Sequence, residues 1–266
     1  MNIPFFKYQG TGNDFIIIDN RNNIINNIDN LVIANLCNRQ FGIGADGLIL
    51  LCHKIGFDFE MIYYNSDGNQ SSMCGNGGRC IVAFALKLGI IKNTANFYSI
   101  DGIHEAVIQD NYHKEVIVKL KMIDVSTIEK GEFSFFLNTG SPHYVQYVEN
   151  IEKYDVENQG KAIRYNEKFA LVGTNVNFIE QFEDYLFVRT YERGVEKETL
   201  SCGTGVTASA LVAAISNKNN SLKKINKIKT LGGFLTVYFK KVSDTSFKNI
   251  WLEGPATFVF KGEIEV

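Results

Sequence analysis

The chain has 266 residues, 45% of them hydrophobic, and a formal net charge of −2 at pH 7. That length exceeds one ordinary domain, and the near-neutral charge excludes the basic excess that nucleic-acid binding requires. No run of about 18 apolar residues is present to cross a membrane, and MNIPFFKYQGTGNDF has no basic segment followed by an apolar stretch, so the expected location is cytoplasmic.

In chain order, Phe15 to Ile18 is short and rich in β-branched residues and ends in the polar cluster Asp19 to Asn23, which predicts a strand and a loop. Cys37 and Cys52 stand among apolar residues and read as core. Cys74-Gly75-Asn76-Gly77 opens the apolar run Ile81 to Leu86, a helix with little polar face that must be buried, with Cys80 packed inside it and Gly89 as its stop. Glu105 to Gln109 and the alternating Glu115 to Met122 predict a hairpin with one wet face, Asp110-Asn111 lying between them. The polar break at 124–131 predicts a boundary, giving an N-terminal α+β domain over 1–126 and a C-terminal one over 127–254.

Phe133 to Leu137, Tyr144 to Val148 and Tyr185 to Thr190 continue as strands. Cys202-Gly203-Thr204-Gly205 then opens a second apolar helix, Ala208 to Ile215, with Asn217 as its stop. The stretch from Asn217 to Lys229, rich in Asn and Lys, reads as an exposed loop, and Phe234 to Lys241 and Ala256 to Phe260 as strands. The fold class expected is α+β, with two similar halves, each wrapping strands around one buried helix, and a cleft where they meet.

The repeated Cys-Gly-x-Gly turn carries the chemistry. A glycine turn at a helix start presents bare N–H groups, which bind anions, and the helix dipole favours a thiolate there. Two thiols in matched settings suggest an acid and a base; either alone could equally be a buried cysteine in a strand-to-helix connection. Five cysteines are an odd count that argues for free thiols, and four histidines without ligand spacing give no metal site. Asn13, Asn65, Asn175 and Asn177 stand beside glycine turns and strand ends, where their amides suit a zwitterion or simply form the turn. Glu192-Arg193 offers a carboxylate beside a guanidinium fork, which suits a substrate carboxylate or forms a surface ion pair. His143, after Gly140-Ser141-Pro142, could be a buried capping histidine or a group that tunes a thiol.

Seven ordered motifs, Gly10 to Phe15, Gly42 to Gly47, Asn65 to Gly68, Cys74 to Cys80, Asn175 to Phe178, Glu192 to Gly194 and Ser201 to Gly205, closely resemble those of the diaminopimelate epimerases across the whole chain. The resemblance implies two similar domains, each a barrel-like, mostly antiparallel sheet around a central buried helix, with the last strand, near 255–266, returning to the first. It implies a homodimer without cofactor or metal that interconverts LL- and meso-diaminopimelate in lysine and peptidoglycan precursor biosynthesis. By position, Cys74 and Cys202 match the acid/base pair. Gly75, Asn76, Gly203 and Thr204 match the donors to the reacting α-carboxylate, and Asn13, Asn65, Asn175, Glu192 and Arg193 the binding residues for the substrate. Glu192 and His143 match the groups that assist the thiols. One departure stands out: the family's usual Gly-Asn-Pro-His is here Gly140-Ser141-Pro142-His143, with Ser141 shorter by a carbonyl arm. Two other readings compete: a proline or hydroxyproline racemase, which also uses two cysteines, and a non-catalytic ligand-binding or redox-sensing protein.

Overall fold

The computed structural model describes residues 2–25, 28–216 and 227–265. The chain forms two compact units, Met1–Leu120 with Gly254–Val266, and Lys121–Glu253.

In the first unit β1 (Asn2–Gly10) and β2 (Asn13–Asp19) form a hairpin. α1 (Asn30–Cys37) then crosses to β3 (Gly47–Cys52), parallel to β2. β3 turns antiparallel into β4 (Phe59–Asn65), whose end is met by the short β5 (Gln70–Ser71). α2 (Gly75–Lys87) follows and leads to β6 (Thr94–Ser99), parallel to β4, and on to the hairpin of β7 (Gly102–Tyr112) and β8 (Glu115–Lys121). The last part of β17 (Phe247–Glu265) lies between β8 and β1. Among the described residues, eight strands therefore close a ring, β1-β2-β3-β4-β6-β7-β8-β17, and no strand edge is left open.

The second unit repeats that order. β9 (Ile128–Lys130), β10 (Ser134–Asn138) and β11 (Pro142–Tyr147) are antiparallel neighbours, and α3 (Val156–Arg164) crosses to the parallel β12 (Asn175–Gln181). β13 (Leu186–Glu192) carries the short β14 (Lys197–Thr199) at its end. α4 (Gly203–Ser216) follows, then β15 (Lys227–Thr230), parallel to β13, β16 (Gly233–Lys241), and the first part of β17. The segment entering β9 bonds back to β17, Met122 N–H to Ile250 and Val125 to Phe247 in both directions, and completes the circuit. Each unit is thus a mostly antiparallel barrel-like sheet with one helix in its interior.

The interior helices are apolar all round for that reason. On α2, Cys80, Ile81, Val82, Phe84 and Ala85 are completely buried, and on α4 Val206, Ala208, Leu211 and Val212 are as well. A large apolar side chain buried this way contributes about 1.5–3 kcal/mol relative to exposure. Gly89, at φ 71°, ends the first helix in the left-handed conformation, as the sequence predicts.

Some expectations need correction. Asp110 and Asn111 do not form the hairpin turn; β7 runs on through them past a bulge at Ile108/Asp110, and the turn falls at His113, whose φ is 51°. Lys227 to Lys229 are not loop but the start of β15. Asn217 and the stretch to residue 226 lie outside the described residues. Cys37, Cys52 and Cys80 are buried, with their thiols pushed up by desolvation, Cys37 and Cys80 to about 12.

Candidate active site

The repeated topology puts each candidate cysteine at the same place, after the short strand, β5 or β14, that pairs with the end of β4 or β13, and directly before the interior helix. Cys74 is the N-cap of α2: its backbone is extended, at φ −92° and ψ 133°, and its carbonyl accepts the first helical bond from Gly78 N–H at 2.7 Å. The Cys202 carbonyl accepts from Val206 N–H at 2.9 Å in the same way. Both thiols therefore sit where the orphan N–H groups and the positive helix end are found. Cys74 is half-buried and Cys202 is buried.

In the first unit the thiol of Cys74 is within hydrogen-bond reach of Asn13 Oδ1 at 3.7 Å, and Asn76 Nδ2 donates to the same oxygen at 3.3 Å. Asn13 is itself fixed, because its Nδ2 donates to Asp46 Oδ2 at 2.6 Å. Asp46 belongs to a charge network that the sequence does not reveal. Arg39 pairs with Asp46 at 2.8 Å and with Asp14 at 2.6 Å, Lys7 pairs with Asp14 at 2.7 Å, and the Lys7 ammonium also donates to the Gly44 carbonyl. The Arg39 and Lys7 cations hold the Asp14 carboxyl below its usual range, although burial of Asp14 acts in the opposite direction. Asp14 and Asp46 both lie inside the recognised motifs; only their 32-residue separation hid the pairing.

Asn65 does not touch this cluster among the described hydrogen bonds. It shares the barrel end, since Phe15 of β2 pairs with Gly47 and Gly47 with Asn65, and it lies in an exposed turn closed by Gly68 N–H to its carbonyl at 3.0 Å.

In the second unit the register gathers the candidates at one end of the ring. His143 pairs with Asn175, and Val176 with Tyr191, beside Glu192 and Arg193. Asn175 Oδ1 accepts from Arg193 N–H at 2.9 Å, and its Nδ2 donates to Ser141 Oγ at 2.8 Å. Ser141 thus orients a candidate binding residue with its short hydroxyl. Arg193 Nη1 donates to the Val172 carbonyl at 3.0 Å, and Glu192 accepts from the Thr199 hydroxyl at 2.9 Å. At the helix start, Thr204 Oγ1 lies 3.5 Å from Cys202 Sγ, and the Thr204 carbonyl accepts from Thr139 Oγ1 at 2.9 Å.

His143 is completely buried and caps nothing. Asn177 is its partner: Nδ2 donates to His143 Nδ1 at 3.1 Å and to the Tyr144 carbonyl at 2.9 Å, while Asn177 Oδ1 accepts from Thr190 at 2.9 Å. The proton of the neutral ring is therefore on Nε2, which is buried without a hydrogen-bond partner among the described residues. Gly205 of α4 packs directly on Asn177 Oδ1, where a Cβ would collide, so a glycine there lets the amide stay with His143. Asn177, present in a motif and read as a zwitterion-binding or turn-forming amide, instead holds His143, a role that the sequence did not suggest.

Burial, with the nearby Arg193 charge, pushes the pKa of His143 down from 6.5 to about 3. Above 6.5 its neutral form makes the native state fully favourable. Between 6.5 and about 3 the unfolded chain binds a proton that the folded one does not, so stability falls as the pH drops, by up to about 1.4 kcal/mol per unit. We expect His143→Gln to remove this component: its urea midpoint should fall less steeply than the parent's between about pH 6 and pH 4. Parallel curves for the two proteins would show that His143 is not held neutral.

A family profile described as diaminopimelate epimerase matches residues 5–127 and 135–259. A protein of Flavobacterium psychrophilum named diaminopimelate epimerase is 52% identical, over 98% of this chain and all of its own. One of Aquifex aeolicus with the same name is 39% identical, over 98% of each chain. Among solved structures, a Bacillus anthracis phenazine biosynthesis protein of the PhzF family superposes with a TM-score of 0.75 at 15% identity, covering 100% of both chains. A probable proline racemase of Agrobacterium radiobacter gives 0.71 at 14%, covering 99% of this chain and 93% of its own. These two similarities concern the fold alone.

Proposed function

Because the chain belongs to the diaminopimelate epimerase family, and so to a family of isomerases, we propose that it interconverts LL- and meso-diaminopimelate by proton transfer between two cysteines, Cys74 and Cys202, without a cofactor or metal. The observation that carries this is the equivalent placement of the two thiols, each at the N-terminus of a buried helix in a repeated topology.

Inverting a stereocentre requires removal of a proton on one face and delivery on the other, hence one thiolate and one thiol. The α-hydrogen is far less acidic than a thiol with its reference pKa near 8.5, so the carbanionic state has to be stabilised where charge builds up, on the α-carboxylate. The N–H groups of Gly75, Asn76, Gly203 and Thr204 are the donors proposed for that carboxylate. Asn13, Asn65, Asn175, Glu192 and Arg193 would bind the remainder of the substrate, letting remote contacts align the reacting carbon. His143, held neutral by burial, and Glu192 are the groups proposed to assist the two thiols. We read the protein as a cytoplasmic homodimer. A racemase of proline or hydroxyproline is the second reading; those substrates have no second amino-acid head for Arg193 and Asn175 to hold.

Incubation with LL-diaminopimelate in heavy water, without pyridoxal phosphate, tests the reading, followed by chiral separation and mass spectrometry. The meso isomer should appear and carry solvent deuterium from the first turnovers, while the residual LL pool gains less, because the base that takes its proton does not return a solvent deuteron at once. Starting from meso should give the mirror pattern. Early equal labelling of both pools would overturn the two-thiol assignment, and turnover of proline in place of diaminopimelate would favour the second reading. Absence of any exchange would leave a non-catalytic protein.

A further inference from the structure

Arg79 of α2 is the largest completely buried side chain among the described residues. Its guanidinium meets four oxygens: Nη1 donates to the Gly75 carbonyl at 3.1 Å, Nη2 to Asn76 Oδ1 at 3.0 Å and Thr11 Oγ1 at 3.3 Å, and Nε to the Pro255 carbonyl at 3.4 Å. None is a carboxylate. A buried cation without a counter-ion is costly, and burial accordingly pushes the Arg79 pKa down, with Cys80 and Cys74 the groups that act against it.

The titratable groups around Arg79 and its neighbour Cys80 narrow the choice of anion. Cys80, on the same helix, is pushed up to about 12 by burial and stays a thiol. Tyr8 on β1 is raised by burial and stays a phenol. Asp14 on β2 is already paired with Lys7 and Arg39. Among the described residues, the place left where negative charge can arise is the start of α2, whose turn Arg79 grips at Gly75 and Asn76.

We propose that Arg79 is a positioning residue for proton transfer at Cys74: its buried guanidinium locks the Gly75-Asn76 turn against Thr11 and supplies a fixed positive charge that favours the Cys74 thiolate. It balances Asn13 Oδ1, which accepts from the Cys74 thiol and so favours the protonated form. With both influences present the sulfur can serve as acid in one direction and base in the other. This rests on the epimerase reading above.

The test uses Arg79→Met, Arg79→Gln and Arg79→Lys, each checked for folding by thermal unfolding. In a Cys202→Ser background, alkylation by iodoacetamide is followed against pH, with peptide mass spectrometry to assign Cys74; the other three thiols are buried and raised, so they stay silent near neutrality. Loss of the guanidinium should move the Cys74 curve up by about one unit, slowing alkylation about tenfold below the midpoint, and Lys should restore part of the shift. With Cys202 intact, kcat for diaminopimelate should fall about tenfold in Arg79→Met and Arg79→Gln, with a smaller change in KM. A folded Arg79→Met with the parent's alkylation curve would overturn the proposal. If that variant does not fold, coincident curves for the Gln and Lys variants would do so. The alkylation readout needs no substrate, so failure of the parent to epimerise diaminopimelate would reject the epimerase reading while the Arg79 question is still answered.

Discussion

Replacing Cys74 or Cys202 singly by alanine is expected to lower epimerisation of diaminopimelate by about 10²–10⁴-fold, the range that a positioned acid or base contributes. The folds should survive, because alanine is compatible with the extended N-cap backbone of Cys74 and because neither sulfur is a large part of its core. Each variant keeps one of the two proposed catalytic thiols. It can still remove a proton from the face it serves and return a solvent deuteron to that face, so slow exchange without inversion should persist in one isomer. The two variants should favour opposite isomers. Residual epimerisation close to that of the parent in either variant would remove that cysteine from the reaction. Exchange into the same isomer in both would show that the thiols do not serve opposite faces.

Arg193→Lys carries the second large effect, a loss of about 10- to 100-fold in kcat/KM for diaminopimelate. Lysine keeps the charge but not the planar fork, which can bind a carboxylate through two parallel bonds while Nη1 holds the Val172 carbonyl. The backbone N–H of Arg193 also anchors Asn175, and that bond does not depend on the side chain, so Asn175 should stay in place. The loss then reports the fork rather than a rearranged strand. Steady-state kinetics on the purified variant decide the matter: an efficiency within about twofold of the parent, where about 1.4 kcal/mol would be tenfold, places Arg193 among surface residues.

How far the sequence reached depended on how local the determining physics is. The interior helices were evident because Ile81 to Leu86 and Ala208 to Ile215 have no polar face, and only a buried helix tolerates that. The alternating β8 and the β-branched β2 were evident for the same reason. α1 and α3 were not seen: Asn30–Cys37 is only eight residues long, and Val156–Arg164 is mostly polar and buries only Val156 and Gly160, so neither stands out as an apolar run. In the site, residue types beside glycine turns could be picked out singly, and barrel register, a long-range property, then placed His143 beside Asn175 and Gly47 between Phe15 and Asn65. The support beneath them, Asp46 under Asn13 and Asn177 under His143, depends on pairings across more than 30 positions that no local pattern encodes.

The strand β17 has a consequence for how the protein is made. Its first residues pair with β16, and its later ones fill the gap between β8 and β1. The N-terminal ring therefore stays open through the synthesis of more than half the chain, with the edges of β1 and β8 unpaired until residues 254–265 leave the ribosome. Such late, long-range closure is slow and leaves sticky edges exposed in the nascent chain. A ribosome-bound chain ending before residue 247 should accordingly be digested readily within its N-terminal unit, and should gain resistance to protease only when the final strand has been released.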